Sequence, residues 1–291
     1  MKILQISSGL GNQMFQYALY KSLCTMYDET FLDISTSYKI NKNQHNGYEL
    51  ETVFNIKPNI ANDLDIAKLS DINNDFFSKF KRKMFGQKSS MYKEIDEYMY
   101  DPKVFTKNNI YLKGYWQNIN YFRENSGILL NDFTFRNNLD GVNKILSMEI
   151  VKENSVSIHI RRGDYYANSL FTKKFGNIAN VSYYKEAIKI INSQVNNPKF
   201  YIFSDDINWA KDNLNLSEEC TFVTHNTKND NYIDMQLMSL CKHNIIANSS
   251  FSWWASYLNK NLNKIVIAPE KWVNIKMIGR VDLFPKGWIT L

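Results

Sequence analysis

The sequence predicts an α/β protein made of two layers, each a parallel sheet with crossover helices. Three observations predict it. The chain opens on a strand, a glycine-containing loop and a helix, the unit from which such layers are built. From Ser155 onward, short apolar strands alternate regularly with helical patterns, which implies parallel strands joined by crossovers. The 291 residues are 44% apolar and 22% charged, enough for two ordinary cores and too apolar for wholesale disorder. A first domain over residues 1–150 and a second over 151–291 are expected.

Taken in order, Lys2 to Ser7 reads as a buried strand, Gly9-Leu10-Gly11-Asn12-Gln13 as a tight loop and Met14 to Tyr27 as a helix. The loop lacks the last glycine of the dinucleotide fingerprint, because Met14 stands there, so no pyrophosphate is expected on it. Gly9 and Gly11 would permit a sharp turn close to a ligand, with Gly11, Asn12 and Gln13 offering neutral groups to sugar hydroxyls. Tyr38 to Phe85 shows no strong punctuation and reads as helices and loops. Ile110 to Gln117 is a strand running into an aromatic loop, and Tyr121–Leu130 and Asn143–Glu153 are helical. The second half then gives strands at Val156–Arg161, Lys199–Ser204, Cys220–Thr224, Asn244–Asn248 and Lys264–Ala268. Helices at Ser182–Val195, Ile207–Asn213, Tyr232–Lys242 and Phe251–Leu258 separate them.

The chemistry gathers at the ends of those strands. Side chains alternate along a strand, so Val156, Ile158 and Ile160 point one way and Ser157, His159 and Arg161 the other. An imidazole and a guanidinium thus share the carboxyl end of a strand, where open α/β sheets bind ligands. Arginine's planar fork suits a phosphate, and histidine can bond a phosphate, a sugar or a base. Ser249 and Ser250 follow the strand at Asn248 and open a helix. They read as ordinary caps or, with the Phe251 backbone N–H, as a pyrophosphate cradle. Asp234 opens another helix as a dipole residue or as a reader of guanine N1–H and the 2-amino group. Ser204-Asp205 ends a further strand, as a cap, a ribose contact or an orienter of an arginine. Asp164 follows Arg161 closely; it is either the base for an acceptor hydroxyl or the residue fixing the Arg162 turn.

Net charge is +6, which favours anionic partners such as a nucleotide phosphate or a lipid surface. Lys81-Arg82-Lys83 is the one compact basic run and reads first as a solvated helix face. No nucleic-acid signature is present. Three distant cysteines imply no disulfide framework, and the short apolar start resembles no signal segment. A cytoplasmic location is expected, with peripheral contact to the inner membrane face as its extension. No metal site is expected: the only D-x-D triplet, Asp63-Leu64-Asp65, follows no strand.

Four motifs appear in order: Gly9-Leu10-Gly11-Asn12-Gln13-Met14-Phe15-Gln16-Tyr17, His159-Ile160-Arg161-Arg162-Gly163-Asp164-Tyr165, Ser204-Asp205-Asp206 with Trp209, and Asn248-Ser249-Ser250-Phe251-Ser252-Trp253-Trp254-Ala255. Together they resemble the bacterial α-1,2-fucosyltransferases of glycosyltransferase family eleven. The resemblance implies a GT-B fold, two Rossmann-like domains facing a cleft, with the acceptor on the first and GDP-β-L-fucose on the second. It implies inversion at the anomeric carbon, no cofactor and no obligatory metal. It also places Arg161 on the donor's β-phosphate, His159 and Asp234 at the guanosine end, and Asn248, Ser249, Ser250 and Phe251 around the phosphates. The acceptor it implies is a β-galactoside-containing glycan of a surface polysaccharide such as an O-antigen, modified at the 2-hydroxyl. Two rivals remain open from the residues: another linkage or GDP-sugar, and a carbohydrate-binding protein without catalysis.

Overall fold

The computed structural model describes residues 1–40, 46–72, 80, 82–84, 86–95, 98–214, 220–274 and 282–291. The chain forms two compact units, one of Met1–Arg136 with Ile278–Phe284, the other of Asn137–Met277 with Pro285–Leu291. The division expected near residue 150 therefore falls at Arg136/Asn137. Helix Gly141–Lys152, on the near side of 150, packs against helix Asn231–Leu240 and strand Ser155–Ile160 and so belongs to the second unit.

In the first unit the order is β1 (Lys2–Gln5), α1 (Leu10–Cys24), β2 (Thr30–Asp33), α2 (Thr36–Ile40), α3 (Leu50–Val53), α4 (Asp63–Leu69), β3 (Met91–Lys93), α5 (Lys103–Thr106), β4 (Ile110–Lys113) and α6 (Ser126–Asp132). The strands pair in parallel as β2-β1-β4-β3. Ile3 and Tyr111, adjacent in that sheet, pack with Ile66, Leu69 and Ile72. Twelve of the fifteen residues of α1 are buried, which makes it a core helix with no solvent face. Its buried amides stay satisfied: Gln16 Nε2 donates to Ser7 Oγ and to the Gly114 carbonyl, both at 2.9 Å.

The helix starts four residues earlier than the sequence suggested. Gly9 is its extended N-cap (φ −79°), and the Asn12 and Gln13 N–H groups already donate to the Gly9 carbonyl. The backbone that turns left-handed is Ser8, at φ 65°, not either glycine. Asp63-Leu64-Asp65 is the first turn of α4, where Asn62 accepts from the Asp65 N–H and the carboxylates meet the helix dipole. Of the basic run, Arg82 Nη1 donates to the Asp71 carbonyl at 2.6 Å, and Lys81 lies outside the described residues.

In the second unit come α7 (Gly141–Lys152), β5 (Ser155–Ile160), α8 (Ser169–Phe175), α9 (Val181–Gln194), β6 (Lys199–Ser204), α10 (Ile207–Leu214), β7 (Cys220–Val223), α11 (Asn231–Leu240), β8 (His243–Ile245), α12 (Ser250–Leu258), β9 (Val266–Ala268) and β10 (Ile289–Thr290). The parallel sheet runs β10-β9-β8-β5-β6-β7, placing β5 near its middle. All six β5 residues are buried, as a central strand covered on both faces requires. Val156, Ile158 and Ile160 pack against Tyr184, Ala187 and Ile191 of α9. Burying each such aliphatic side chain contributes roughly 1.5–3 kcal/mol. On the other face, Ser157 Oγ accepts from Asn244 Nδ2 at 2.8 Å, so the expected alternation holds. Trp253 and Trp254 of α12 are fully buried, packing the helix as helix-core residues. Cys24, Cys220 and Cys241 are free thiols. Among the described residues no helix is long and apolar enough to cross a membrane.

Candidate active site

β5 delivers its last residues to the carboxyl edge of the sheet, where Arg161 is held by two carboxylates. Arg161 Nε lies 2.9 Å from Asp164 Oδ1, and Nη1 lies 3.2 Å from Asp205 Oδ2. Burial works against the guanidinium charge, and Asp205 and Asp164 outweigh it, so its pKa sits above the usual arginine value. The two carboxylates differ in kind. Asp205 Oδ1 also accepts the Arg162 N–H at 2.7 Å, which ties the carboxylate to the turn as well as to the guanidinium. A Cβ on Gly163 would come within 3.1 Å of Asp205 Oδ2, so the glycine lets that carboxylate close in. Asp164 is 48% exposed, and among the described residues its carboxylate has only the guanidinium.

Of the readings open for Ser204-Asp205, the geometry displays the orienting one and the turn-forming one. Asp205 orients an arginine. Ser204 Oγ accepts from the Asp206 N–H, and Asp206 Oδ1 accepts from the Trp209 N–H, so these two shape the turn into α10. Arg162 faces away, its Nε 3.4 Å from Asp206 Oδ2 and its guanidinium over the rings of Tyr166 and Trp209 at 4.1 and 4.2 Å. Asp164 pairs with Arg161, and the Arg162 turn is fixed by Asp205 instead.

His159 stands one alternation behind Arg161 and is buried, its ring 5.7 Å from that of Phe251. Burial, with the Arg161 charge second, pushes its pKa down to about 3, so the imidazole is neutral near pH 7. Its Nδ1 is buried without a hydrogen-bond partner among the described residues. A buried unmatched ring nitrogen at a strand end is where a ligand group is expected. Beside it, α12 begins with Ser249 as an extended N-cap whose hydroxyl does not cap the helix. The first-turn N–H groups of Ser250 and Phe251 keep their capacity for an anion. Tyr165 fastens this helix start to the turn after β5, donating from its hydroxyl to the Asn248 carbonyl at 2.8 Å.

Asn248 differs from the expectation. Its Nδ2 donates to the Phe175 and Trp272 carbonyls, so the amide braces the loop and has no donor left for a phosphate. Gln13 differs likewise: its Nε2 donates to the Ser8 and Gly47 carbonyls and its Oε1 accepts the Glu49 N–H, all within 2.9 Å. Of the expected sugar contacts, Gly11 lies buried in α1, and Asn12 is half-buried with Oδ1 accepting from Gln117 Nε2.

Asp234 sits in the first turn of α11, apart from the arginine cluster. Burial pushes its pKa up to about 7, against a hydrogen bond from Asn226. That bond, 2.8 Å from Asn226 Nδ2 to Asp234 Oδ1, ends a chain: Asn143 Nδ2 donates to Asn226 Oδ1, and His225 Nε2 meets Asn143 Oδ1, both at 2.8 Å. Sequence reading found neither Asn143 nor Asn226, because 83 residues separate them. Tyr165, inside a motif, carried a signal that went unused. Among the described residues no three His, Cys, Asp or Glu side chains gather as metal ligands.

The fold is that of NodZ, an α-1,6-fucosyltransferase whose crystal structure was obtained from a crystal soaked with GDP-fucose. The TM-score is 0.54 at 15% identity, covering 88% of this chain and 92% of that one. NodZ from Bradyrhizobium gives 0.53 at 14% identity, over 87% and 91% of the two chains. The protein is a glycosyltransferase of the GT-B fold. It belongs to glycosyl transferase family 11, whose profile matches residues 3–291. It is 36% identical to an alpha-1,2-colitosyltransferase of Escherichia coli over 297 residues, 99% of this chain and 98% of that one. It is 32% identical to the O-antigen biosynthesis glycosyltransferase WbnK of Escherichia coli over 98% and 99% of the two. Human galactoside alpha-(1,2)-fucosyltransferase 1 matches over 35% of this chain and 28% of its own length, at 28% identity.

Proposed function

We propose that the enzyme moves L-fucose from GDP-β-L-fucose to the 2-hydroxyl of a terminal β-galactoside, with inversion, during assembly of a surface polysaccharide such as an O-antigen. The carrying observation is Arg161 clamped at the end of β5 by Asp164 and Asp205. Transfer passes through an oxocarbenium-like state, and the larger demand is stabilising the departing GDP. Arg161 and the open N–H groups of Ser250 and Phe251 meet that charge, with Ser249 and Ser250 hydroxyls beside them. His159, neutral and with Nδ1 open, and Asp234 take the guanosine end. No metal or other cofactor is needed in this reading, since the arginine and the helix start supply the electrostatics.

The two carboxylates divide the remaining work. Asp205 keeps Arg161 aimed while the donor's diphosphate displaces the exposed Asp164 from Nε. Asp164, released, accepts the proton of the acceptor hydroxyl. A phosphate oxygen of the donor is the competing base. Gly11 and Asn12 remain the acceptor-side contacts of the first unit, with Gln13 bracing them. The reaction is placed in the cytoplasm, at the membrane's inner face where the acceptor is lipid-linked.

The 36% identical relative favours a second reading, in which the sugar moved is colitose, L-fucose without its 3-hydroxyl. Purified enzyme is incubated in EDTA with GDP-fucose and β-galactosides, beside Arg161→Ala and with GDP-colitose in competition. GDP release with an α-1,2-fucosylated product, lowered roughly 100- to 1000-fold in the variant, is expected. Preference for GDP-colitose moves the assignment to the second reading, and no binding of either donor overturns both.

A further inference from the structure

The first unit contains a cavity of about 430 Å³ at the carboxyl ends of β1 and β4, a volume fit for one or two sugar rings. These central neighbours are the point where the sheet's connections part: β1 leads to β2 on one side, while the chain enters β4 from β3 on the other. Open parallel sheets bind ligands at such a parting. The backbone on both sides is unusual. Ser8, just past β1, and Trp116, just past β4, are left-handed non-glycine residues at φ 65° and 58°, a conformation costing about 1–2 kcal/mol each.

Each is held in place. Tyr38 Oη and Gln13 Nε2 both donate to the Ser8 carbonyl at 2.9 Å. The Glu94 carboxylate accepts the Tyr115 and Trp116 N–H groups at 2.6 and 3.1 Å. It comes so near that a Cβ on Gly114 would lie 2.5 Å from the Glu94 Cβ. Strain fixed this firmly at two strand ends that flank one cavity marks a ligand site.

The lining defines the ligand. Ser7, Ser8, Ser37 and Tyr115 offer hydroxyls. Ser7 Oγ accepts from Gln16 Nε2 and Ser8 Oγ donates to Tyr115 Oη, so the Ser7 and Tyr115 protons remain to give. Lys113 also lines the cavity, half-buried. Among the described residues its ammonium has no carboxylate within 4 Å and makes no hydrogen bond. Burial, then the charge of Lys93, hold its pKa below the usual lysine value. Arg82 lines the same cavity and donates from Nη1 to the Asp71 backbone carbonyl at 2.6 Å. A half-buried cation with no counter-ion among the described residues, set among hydroxyls, is matched by a sugar bearing a negative charge.

We propose that this pocket binds the acceptor glycan through a sugar carrying an anionic substituent, a carboxylate or a phosphate ester, which pairs with Lys113 while Ser7 and Tyr115 hydroxyls hold the ring. The proposal rests on the transferase reading for calling the ligand an acceptor. Its test reads equilibrium binding with no donor present. Lactose, lactobionate and lactose 1-phosphate are titrated into wild type, Lys113→Met, Lys113→Gln and Lys57→Met, the last removing an exposed lysine of the same unit. Wild type and Lys57→Met should bind at least one anion roughly tenfold or more tighter than lactose. Which anion gains more tells a carboxylate from a phosphate ester. In both Lys113 variants, checked for an unchanged melting curve, the ratio should fall to about one. Equal binding of all three by wild type, no binding of any, or a preference that survives Lys113→Gln overturns the proposal. A chain that showed the lysine-dependent preference and transferred no fucose would sink the donor assignment and leave the pocket standing.

Discussion

Lowering the pH from 8 to 6 should weaken GDP-fucose binding about tenfold through Asp234. In the proposed site the carboxylate must be ionised to accept both the N1–H and the 2-amino group of guanine. Its pKa in the free protein is about 7, because burial opposes the charge more than Asn226 supports it. At pH 8 about nine-tenths of the molecules then carry the ionised form, and at pH 6 about one-tenth. Apparent affinity scales with the competent fraction, so the loss is about tenfold, or about 1.4 kcal/mol. GDP-fucose suits the assay because its esterified diphosphate loses no proton in this range. His159, at about 3, stays neutral throughout. Calorimetric titration at five pH values should give a slope in wild type and in His225→Gln, which keeps the facing amides. Asp234→Asn should bind more weakly and show no slope. Stability must move the other way. A folded pKa raised above 3.8 means the protonated form favours the fold, so stability falls as pH climbs from about 4 through 7. Asp234→Asn should therefore melt higher than wild type at pH 8, by no more than about 4 kcal/mol, and alike below pH 4. A flat binding profile in wild type, or a slope persisting in Asp234→Asn, refutes the reasoning.

Gly163→Ala should press on Asp205 and misaim Arg161, lowering kcat about tenfold with little change in melting, as steady-state kinetics would show. Asn226→Ala removes the hydrogen bond to the Asp234 carboxylate; GDP-fucose affinity at pH 7 should drop severalfold and its pH slope shift upward. Asn143→Ala, one link further, should do the same more weakly. Tyr183→Phe removes a buried hydroxyl that donates to the Ile246 and Ile267 carbonyls at 2.7 and 3.0 Å. It should cost about 1–3 kcal/mol in denaturant unfolding and leave donor affinity unchanged.

How much of this was legible in the sequence depends on what kind of pattern carried it. β5 and β6 are six residues each, long enough for alternation to show which face is core. β2, β3 and β10 have four, three and two residues and stand outside the regular strand–helix alternation, whereas β7, β8 and β9, with four, three and three, are legible because that alternation after Ser155 frames them. In α1 the helix start was misplaced because Gly-Asn-Gln reads as loop, while burial and amide bonds to distant backbone make it helix. The same ambiguity governs the site. Arg161 and His159 follow from strand alternation, and their placement at the sheet edge matches the geometry. A sequence cannot distinguish an amide that brackets a ligand from one that braces a loop, and the side-chain amides of Gln13 and Asn248 spend their donors on backbone carbonyls. Asp205 acts through tertiary approach across Gly163, which no linear spacing encodes.

The path of the backbone near its end bears on how relatives could be recombined. Residues 278–284 belong to the first unit, where Asp282 accepts from the Ile119 N–H and from Asn120 Nδ2, and the chain then goes back to form β10 at the edge of the second sheet. The polypeptide passes between units three times. A chimera spliced once, at residue 137, would graft a foreign peptide beside Asn118–Tyr121 and leave its own partner behind. A working exchange of first units has to carry 278–284 with residues 1–136, as one module written in two pieces. By the same logic, a protease nick at 136/137 leaves both fragments sharing structure, since the larger still contributes its returning segment to the smaller.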